Sequence, residues 1–268
     1  METPAPTITA TIFRDDFGET PREWCNLGII HQSSRYNLGD QPIDDFDMLI
    51  AEVASINLPL PLLYSLAADH LCPDGYSDLR GDWQDELADA KYSSCSDEDK
   101  RDILTCWLEG TARYSDRYTR PAIELLEANI PFSLLYLYDH SGITISTSPF
   151  SCPWDSGCIG FIYVPNTVLL KEYGDTGPDT IFAAQRRIEA EIKTLDQFIT
   201  GDVYAYSIQS HDPDADPDAH YAETLDSCCG FYGLSLDNGM LDNCPSEYTD
   251  ILTEAINAAS DDYTLIQE

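Results

Sequence analysis

The chain has 268 residues, with 48 acidic residues against 14 Lys and Arg, and its formal net charge at pH 7 is −34. This charge excludes nucleic acid as a direct ligand and an anionic membrane as a docking surface, because phosphates bind to basic stripes that this chain lacks. Hydrophobic residues make up 43% of the chain, which is enough for a packed core and argues against intrinsic disorder. No membrane-spanning stretch and no secretory leader is visible in the sequence, so we expect a cytoplasmic protein.

The N-terminal part opens with a strand and continues with helices. Residues 7–13 alternate β-branched side chains, which predicts a strand. Residues 44–56 carry apolar side chains at helical spacing behind acidic residues that suit a helix N-terminus, and we predict a helix there. Residues 58–120 are predicted to form a mainly helical insertion, with helices at 62–71, 81–91 and, after the cap Ser96, 97–114.

The C-terminal part alternates strands and helices. A helix that opens at Arg120 leads into a strand at 132–138, and the turn Asp139–Gly142 joins it to a second strand at 143–147. A third strand at 159–164 would extend this hairpin to a three-stranded antiparallel unit. The remaining predicted elements are a helix at 179–200 closed by Gly201, strands at 203–208 and 227–233, and a helix at 246–259 capped by Ser246.

These elements predict an α+β fold with a mixed, mainly antiparallel sheet and packed helices. We expect one core domain formed by residues 1–57 and 121–268, interrupted by the helical insertion at 58–120. The nine cysteines include no C-x-x-C pair. We therefore expect reduced, individually buried thiols, with no disulfide framework, no bound metal and no cofactor.

The acidity itself has two interpretations, which composition alone leaves open. In molar salt, a carboxylate-rich and Lys-poor surface stays hydrated at little cost to folding. Alternatively, the carboxylates are spaced like DNA phosphates and compete for a protein that grips nucleic acid. The candidate contact residues of the second interpretation are the acids expected to be exposed: Asp44, Asp45, Asp82, Asp85, Asp97, Asp99, Asp212, Asp214, Asp216 and Asp218.

The last four of these acids belong to the tract 211–220, which has Asp at every second position. Clustered carboxylates suit a hard cation, so a calcium loop is one interpretation. The tract lacks the central Gly and the twelfth-position Glu of such a loop, however. Its prolines and like charges predict an exposed loop between two strands.

The region 139–158 offers a rival, enzymatic hypothesis. Cys152 could act as a nucleophile with His140 as its base and Asp155 as a third polar group. The structural alternative is that Cys152 is a small buried residue beneath Trp154 in a packed, rigid loop. A zinc site drawn from Cys152, Cys158, Cys228 and His140 has suitable ligand types but no recognised spacing.

Adjacency argues against a catalytic triad within Asp139, His140 and Ser141, because neighbouring side chains point apart. We expect Asp139 and Ser141 to bond their own backbone, with Gly142 at a positive φ.

Several sequence blocks resemble a family of proteins carried by phages, archaeal viruses and conjugative elements, over residues 10–40 and 130–243. The blocks are PREWCNLG at 21–28, RYNLGD at 35–40, YDHSGIT at 138–144, PFSCPWDSG at 149–157, GFIY at 160–163 and CGFYG at 229–233. The family has no established reaction, so the resemblance implies no catalytic residue. Its association with mobile elements implies an accessory, counter-defence role. The family pattern is more basic around Arg35 and after Tyr163, and acidity added to a shared scaffold is what salt adaptation would produce.

Together these observations favour a non-enzymatic cytoplasmic protein of a virus or mobile element. We expect its partner to be a host nucleic-acid-binding defence protein of the restriction or CRISPR type, engaged through carboxylate-rich faces or by DNA mimicry. Such electrostatic binding should be fast and should weaken as salt rises. A cysteine-dependent enzyme and a salt-adapted interaction protein without mimicry are the alternatives, and a homo-oligomer is left open.

Overall fold

The computed structural model describes residues 6–33, 35–70, 96–112, 118–211 and 222–266. The chain forms two compact units. The described residues of unit 1 are those within Met1–Trp24, Asp139–Thr144 and Lys193–Glu268. Those of unit 2 lie within Cys25–Tyr138 and Ile145–Ile192. The boundaries of these two units differ from those of the core domain and the insertion that the sequence predicts.

The described elements are eight strands, eight α-helices and one 3₁₀ turn at Pro21–Glu23. The strands are β1 Thr7–Arg14, β2 Ile29–Gln32, β3 Gln41–Pro42, β4 Phe132–Asp139, β5 Ile143–Ser146, β6 Ser156–Tyr163, β7 Val203–His211 and β8 Glu223–Tyr232. The helices are α1 Phe46–Asn57, α2 Leu60–His70, α3 Asp97–Ala112, α4 Thr119–Asn129, α5 Asn166–Tyr173, α6 Pro178–Ile199, α7 Met240–Asn243 and α8 Thr249–Ile266.

The strands form two sheets. The larger has the order β3-β2-β6-β4-β5, with β6 antiparallel to both β2 and β4 and only the short β2–β3 pair parallel. The smaller has the order β1-β7-β8 and is antiparallel throughout. Both sheets occur with packed helices, so the predicted α+β class with a mainly antiparallel sheet is confirmed.

Unit 2 has a core in which helices pack on the larger sheet. Apolar residues of α1, α2, α3 and α4 meet there, including Ile50, Leu63, Leu104 and Leu126, all fully buried. Phe161 of β6 joins them from the sheet. The described helices of the predicted insertion, α2 and α3, therefore share one core with α1 and α4.

Unit 1 has a separate core beneath the three-stranded sheet. Tyr204, Tyr206 and Ile208 alternate along one face of β7 and pack with Leu252 and Ile256 of α8. The period of two on the strand and the spacing of four on the helix are the patterns that bury one face of each element. The hydroxyl of Tyr206 is satisfied within this core by Asp226, whose Oδ2 lies 2.7 Å away.

Most of the predicted elements are confirmed, with shifted ends. Ser96 caps α3 as expected, since its Oγ accepts from the Asp99 amide at 3.1 Å. Gly201, at φ 70°, follows the long helix α6 as predicted. The C-terminal helix begins at Thr249 and not at the predicted cap Ser246, because residues 246–248 form a turn. The sequence did not predict β2, β3, α5 or α7, and the helix predicted at 81–91 lies outside the described residues.

In the turn after β4, Gly142 has a positive φ of 159°, as predicted, and Ser141 adopts the left-handed conformation, at φ 59°, which the sequence did not predict. One local prediction is wrong. The seven described cysteines are free, as expected, but the prediction that they are individually buried is wrong, because only Cys244 is buried. Cys244 belongs to the core cluster of unit 1, whereas Cys25, Cys106, Cys158 and Cys229 are exposed.

No helix within the described part of the chain combines the length and the apolar character that crossing a membrane requires.

Candidate functional site

The exposed acids of α1 and α3 form the candidate site in unit 2, and we call them the acidic surface. It contains the predicted contact residues Asp44, Asp45, Asp97 and Asp99, all exposed. The exposed side chains of Glu52, Glu98 and Asp102 continue it along the same two helices. The other six predicted contact residues, Asp82, Asp85, Asp212, Asp214, Asp216 and Asp218, lie outside the described residues.

The two groups of acids lie at opposite ends of α1. The guanidinium of Arg101, in the first turns of α3, donates to the carbonyl oxygens of Ser55 and Leu58 at the end of α1, the latter at 2.9 Å. The start of α3 therefore lies beside the end of α1, whereas Asp44 and Asp45 lie at its start. At about 1.5 Å per residue, the 12 residues of α1 separate the two groups by about 18 Å.

Folding accounts for the placement of two of these acids. Asp45 is the N-cap of α1, and its Oδ1 accepts from the Met48 amide at 3.0 Å. Asp99 completes the α3 cap, since its Oδ2 accepts from the Ser96 hydroxyl at 2.7 Å and from the Ser96 amide at 3.1 Å. These hydrogen bonds lower the pKa of Asp99, so it stays ionised. Capping thus holds both carboxylates at the surface without removing their charge.

The cations on these helices are used locally. Lys100 lies 3.8 Å from Asp97, and its side chain is 17% exposed. Arg101 donates to the carbonyl oxygens at the end of α1 and keeps its charge. The seven exposed acids named above outnumber these two cations, so the acidic surface has a net negative potential that a basic partner would meet first.

Two of the three residues of the rival site lie together in unit 2. The Cys152 Sγ lies 3.7 Å from Asp155 Oδ2, within unit 2, whereas His140 belongs to unit 1. Burial raises the pKa of the neighbouring Cys158 thiol, which donates toward the Gly160 carbonyl at 3.5 Å. A protonated Cys158 is unsuited to nucleophilic attack. The cysteine-enzyme hypothesis stays a prediction, which selective labelling of Cys152 by a thiol probe would test.

Trp154 does not cover Cys152, which corrects the packed-loop prediction. Its side chain is 91% exposed, and Cys152 is only half-buried. The loop closes instead through polar contacts, because the Ser156 hydroxyl donates to the Cys152 carbonyl and the Cys152 thiol faces Asp155. These contacts leave the indole without a role in holding the loop.

No group of three or more His, Cys, Asp and Glu side chains within the described ranges is arranged to hold a metal ion. The zinc quartet considered above is therefore not assembled by the described residues. The calcium hypothesis concerned 211–220, of which only His211 is described.

Several blocks of the resemblance have a structural explanation. Glu191 accepts from the amides of Leu27, at 2.6 Å, and Gly28, at 3.1 Å, and so fixes the loop before β2. A Cβ on Gly28 would lie 2.7 Å from the Ile162 side chain. Asp40 similarly holds the Ile30 amide at 2.8 Å. These residues therefore have a role in the fold.

A cavity of about 510 Å³ lies in unit 2 among the ends of α1 and α4 and the starts of α5 and α6. An asparagine pair joins two of these ends: Asn166 donates from its amide nitrogen to Asn57 Oδ1 at 3.0 Å and from Nδ2 to the Asn57 carbonyl at 2.8 Å. Glu127 and Phe182 also line the cavity. No sequence pattern pointed to these two residues, because the cavity is made by helix ends far apart in the chain.

Comparison with protein-family models, with curated proteins and with solved structures finds no match for the chain. The family resemblance of the sequence blocks therefore remains a prediction.

Proposed function

We propose that the protein is a non-enzymatic, strongly acidic accessory protein of a virus or mobile element that inhibits a host nucleic-acid-handling defence protein. The acidic surface is the part of the chain that would contact this partner. Proteins of that class present Lys and Arg to phosphates, and a field of fixed carboxylates competes for the same side chains.

The observation that carries the proposal is the exposure of acids that outnumber the cations beside them. Asp44, Asp45, Asp97 and Asp99 are exposed, and the cations on the same helices are Lys100, which pairs with Asp97, and Arg101, which donates to the end of α1. The caps at Asp45 and Asp99 also fix two carboxylates in place before a partner arrives. Pre-organised charge costs less side-chain entropy on binding than charge on mobile side chains.

The experiment removes the four charges and keeps the shape. Asp44, Asp45, Asp97 and Asp99 are changed together to Asn, which caps helices as well as Asp does. Inhibition of DNA cleavage is measured for a purified restriction endonuclease and a purified CRISPR nuclease. We expect the inhibitory concentration to rise by about tenfold or more in the variant, and inhibition by the native chain to weaken as salt rises.

A matched control removes four exposed charges elsewhere, through Glu172→Gln, Asp237→Asn, Asp242→Asn and Glu254→Gln. If both variants lose inhibition equally, net charge and not the acidic surface is responsible. Inhibition that does not change with salt would contradict the electrostatic account, and a native chain that inhibits neither nuclease would remove the support for this partner class.

A salt-adapted interaction protein is the second candidate, because the acidic excess occurs in both units. Unit 1 carries 22 acidic and 3 basic residues, and unit 2 carries 26 and 11. An excess shared in this way is expected when the whole surface must stay hydrated in molar salt. Refolding separates the candidates: a chain that refolds fully in dilute buffer does not depend on salt, which counts against adaptation.

A further inference from the structure

The cavity in unit 2 is electronegative. Glu127 lines it with a carboxyl group whose pKa is raised by partial burial and, to a smaller extent, by the nearby Glu124, so that a cation beside it would stabilise its ionised form. Asp175 and Asp179 flank two further lining residues, Thr176 and Pro178. None of the 12 described residues that line the cavity is basic.

The end of α4 adds to this negative character. Glu127 and Asn129 belong to its last turn, where backbone carbonyl groups have no partner within the helix and carry the negative end of the helix dipole. No basic residue occupies the last turn of α4 or of α1. The Asn129 side chain donates from Nδ2 to the Leu125 carbonyl at 2.8 Å, which leaves its amide oxygen as an acceptor.

An exposed aromatic ring stands at the mouth of the same cavity. Phe182, in the second turn of α6, is 65% exposed although it is a large apolar residue, and Ile181 lies beside it. A planar cation that enters the cavity could stack on this ring. The volume of about 510 Å³ falls within the range of about 300 to 1,000 Å³ that is usual for ligand pockets.

We propose that this cavity receives an arginine side chain of a partner protein, with the guanidinium paired to Glu127 and stacked against Phe182. This inference rests on the proposed function, since a nucleic-acid-handling partner presents arginines for phosphates. It names a second contact, distinct from the acidic surface, and gives that contact a shape requirement as well as a charge requirement.

The acceptors favour a guanidinium over an ammonium group. A carboxylate, an amide oxygen and helix-end carbonyl groups are present at one cavity, and a planar fork of five donors can bond to more than one acceptor at once. A guanidinium is also more weakly hydrated than an ammonium and stacks on aromatic faces, so it loses less on entering a half-apolar cavity.

The test uses a small probe and needs no partner. The full chain, labelled with ¹⁵N, is titrated with Nα-acetyl-arginine methylamide and with the corresponding citrulline and lysine compounds. Citrulline has the shape of arginine without its charge. We expect the arginine probe to shift the amide signals of Asn129 and Phe182, the lysine probe to bind more weakly, and the citrulline probe to leave the signals unchanged.

Two variants with the same loss of charge locate the site. Glu127→Gln should weaken binding of the arginine probe by about tenfold, because it removes a charge-assisted pair. Glu124→Gln, one turn away and paired at 3.2 Å with the exposed Arg120, should change binding by about twofold or less. Phe182→Ala should weaken binding of the arginine probe while leaving the unfolding transition in place.

The proposal is overturned if arginine and citrulline probes bind alike, if the lysine probe binds as well as the arginine probe, if Glu127→Gln and Glu124→Gln have equal effects, or if no probe shifts these signals at tens of millimolar. None of these results bears on the inhibition assay with the acidic-surface variant. A failure of this inference is therefore distinguishable from a failure of the proposed function.

Discussion

We expect Glu191 to stabilise unit 2 by holding the loop before β2, and replacing it tests this role. Its carboxylate is 11% exposed and accepts from the Leu27 amide at 2.6 Å and from the Gly28 amide at 3.1 Å. Arg187 lies 3.5 Å from the same carboxylate and donates to the Cys25 carbonyl at 3.1 Å. The Glu191→Ala variant removes the carboxylate whose two oxygens accept from the two backbone amides, one each.

The magnitude follows from those two hydrogen bonds. A hydrogen bond to a charged group contributes about 1.5 to 3 kcal/mol. The two amides are part-buried, so water can replace the carboxylate only in part, and the second bond is longer than the first. We therefore expect Glu191→Ala to lower the free energy of unfolding by about 3 kcal/mol. Glu191→Gln should lose less, because its amide oxygen can still accept from one of the two donors.

Chemical denaturation monitored by tryptophan fluorescence measures the loss, and hydrogen exchange at the Leu27 and Gly28 amides assigns it to this loop. The control is Glu189→Ala on the same helix, which removes the same charge and one exposed hydrogen bond to Gln185. It should cost less than about 1 kcal/mol. The reasoning is refuted if the two alanine variants are equally stable, or if exchange at Leu27 and Gly28 is no faster in Glu191→Ala.

Three further predictions concern stability. Gly28→Ala should lower the free energy of unfolding by about 1 to 3 kcal/mol, because its Cβ would lie 2.7 Å from the Ile162 side chain and 2.8 Å from that of Ile188. Gly157→Ala is the control and should leave stability unchanged, because its Cβ would have no atom within 4 Å. Because of His31, the free energy of unfolding should fall as pH drops below about 6.5. Burial lowers the pKa of His31 in the folded state, and Asp40 opposes this effect only in part, so the folded state binds fewer protons than the unfolded state. His31→Phe should remove this dependence of stability on pH between about pH 5 and 7. A slope unchanged in His31→Phe would assign it to other groups. Tyr206→Phe should lower the free energy of unfolding by about 1 to 2 kcal/mol, because Asp226 loses the hydroxyl donor that lies 2.7 Å from its Oδ2. A variant as stable as the native chain would show that this hydrogen bond makes no net contribution to stability.

Elements with a strong local pattern were predicted from the sequence, and those set by distant contacts were not. The helix at 44–56 and the hairpin that begins at 132 carry their periodicity within a few residues, and both are present. β3 has only two residues, and its single parallel pairing with β2 has no signature in such a short segment. The central position of β6 between β2 and β4 depends on chain segments more than 100 residues apart, which no local pattern encodes.

The candidate site shows the same limit. Asp45 and Asp99 were predicted as exposed acids, and their capping role was recognisable in part from Ser96 and the acids before α1. Glu127 and Phe182 were missed, because neither residue is unusual on its own helix. The packing predicted for Trp154 was wrong for a related reason: composition signals a constrained loop, but it does not show whether aromatic or polar side chains close it.

The hydrogen bonds of the acids make it possible to test the two interpretations that composition leaves open. A carboxylate that caps a helix or holds a loop, such as Asp45, Asp99 or Glu191, has a folding role that does not require a partner. Its charge is largely a separate property, because an amide at Asp45 or Asp99 keeps an acceptor oxygen, although at Asp99 the bonds from Ser96 lose their charge-assisted strength. We therefore expect the substitution of Asp by Asn at these two positions to remove the charge at a small cost in stability. A chain that keeps its stability and loses inhibition under that substitution uses its acids for recognition, whereas one that keeps both carries them for solubility in salt.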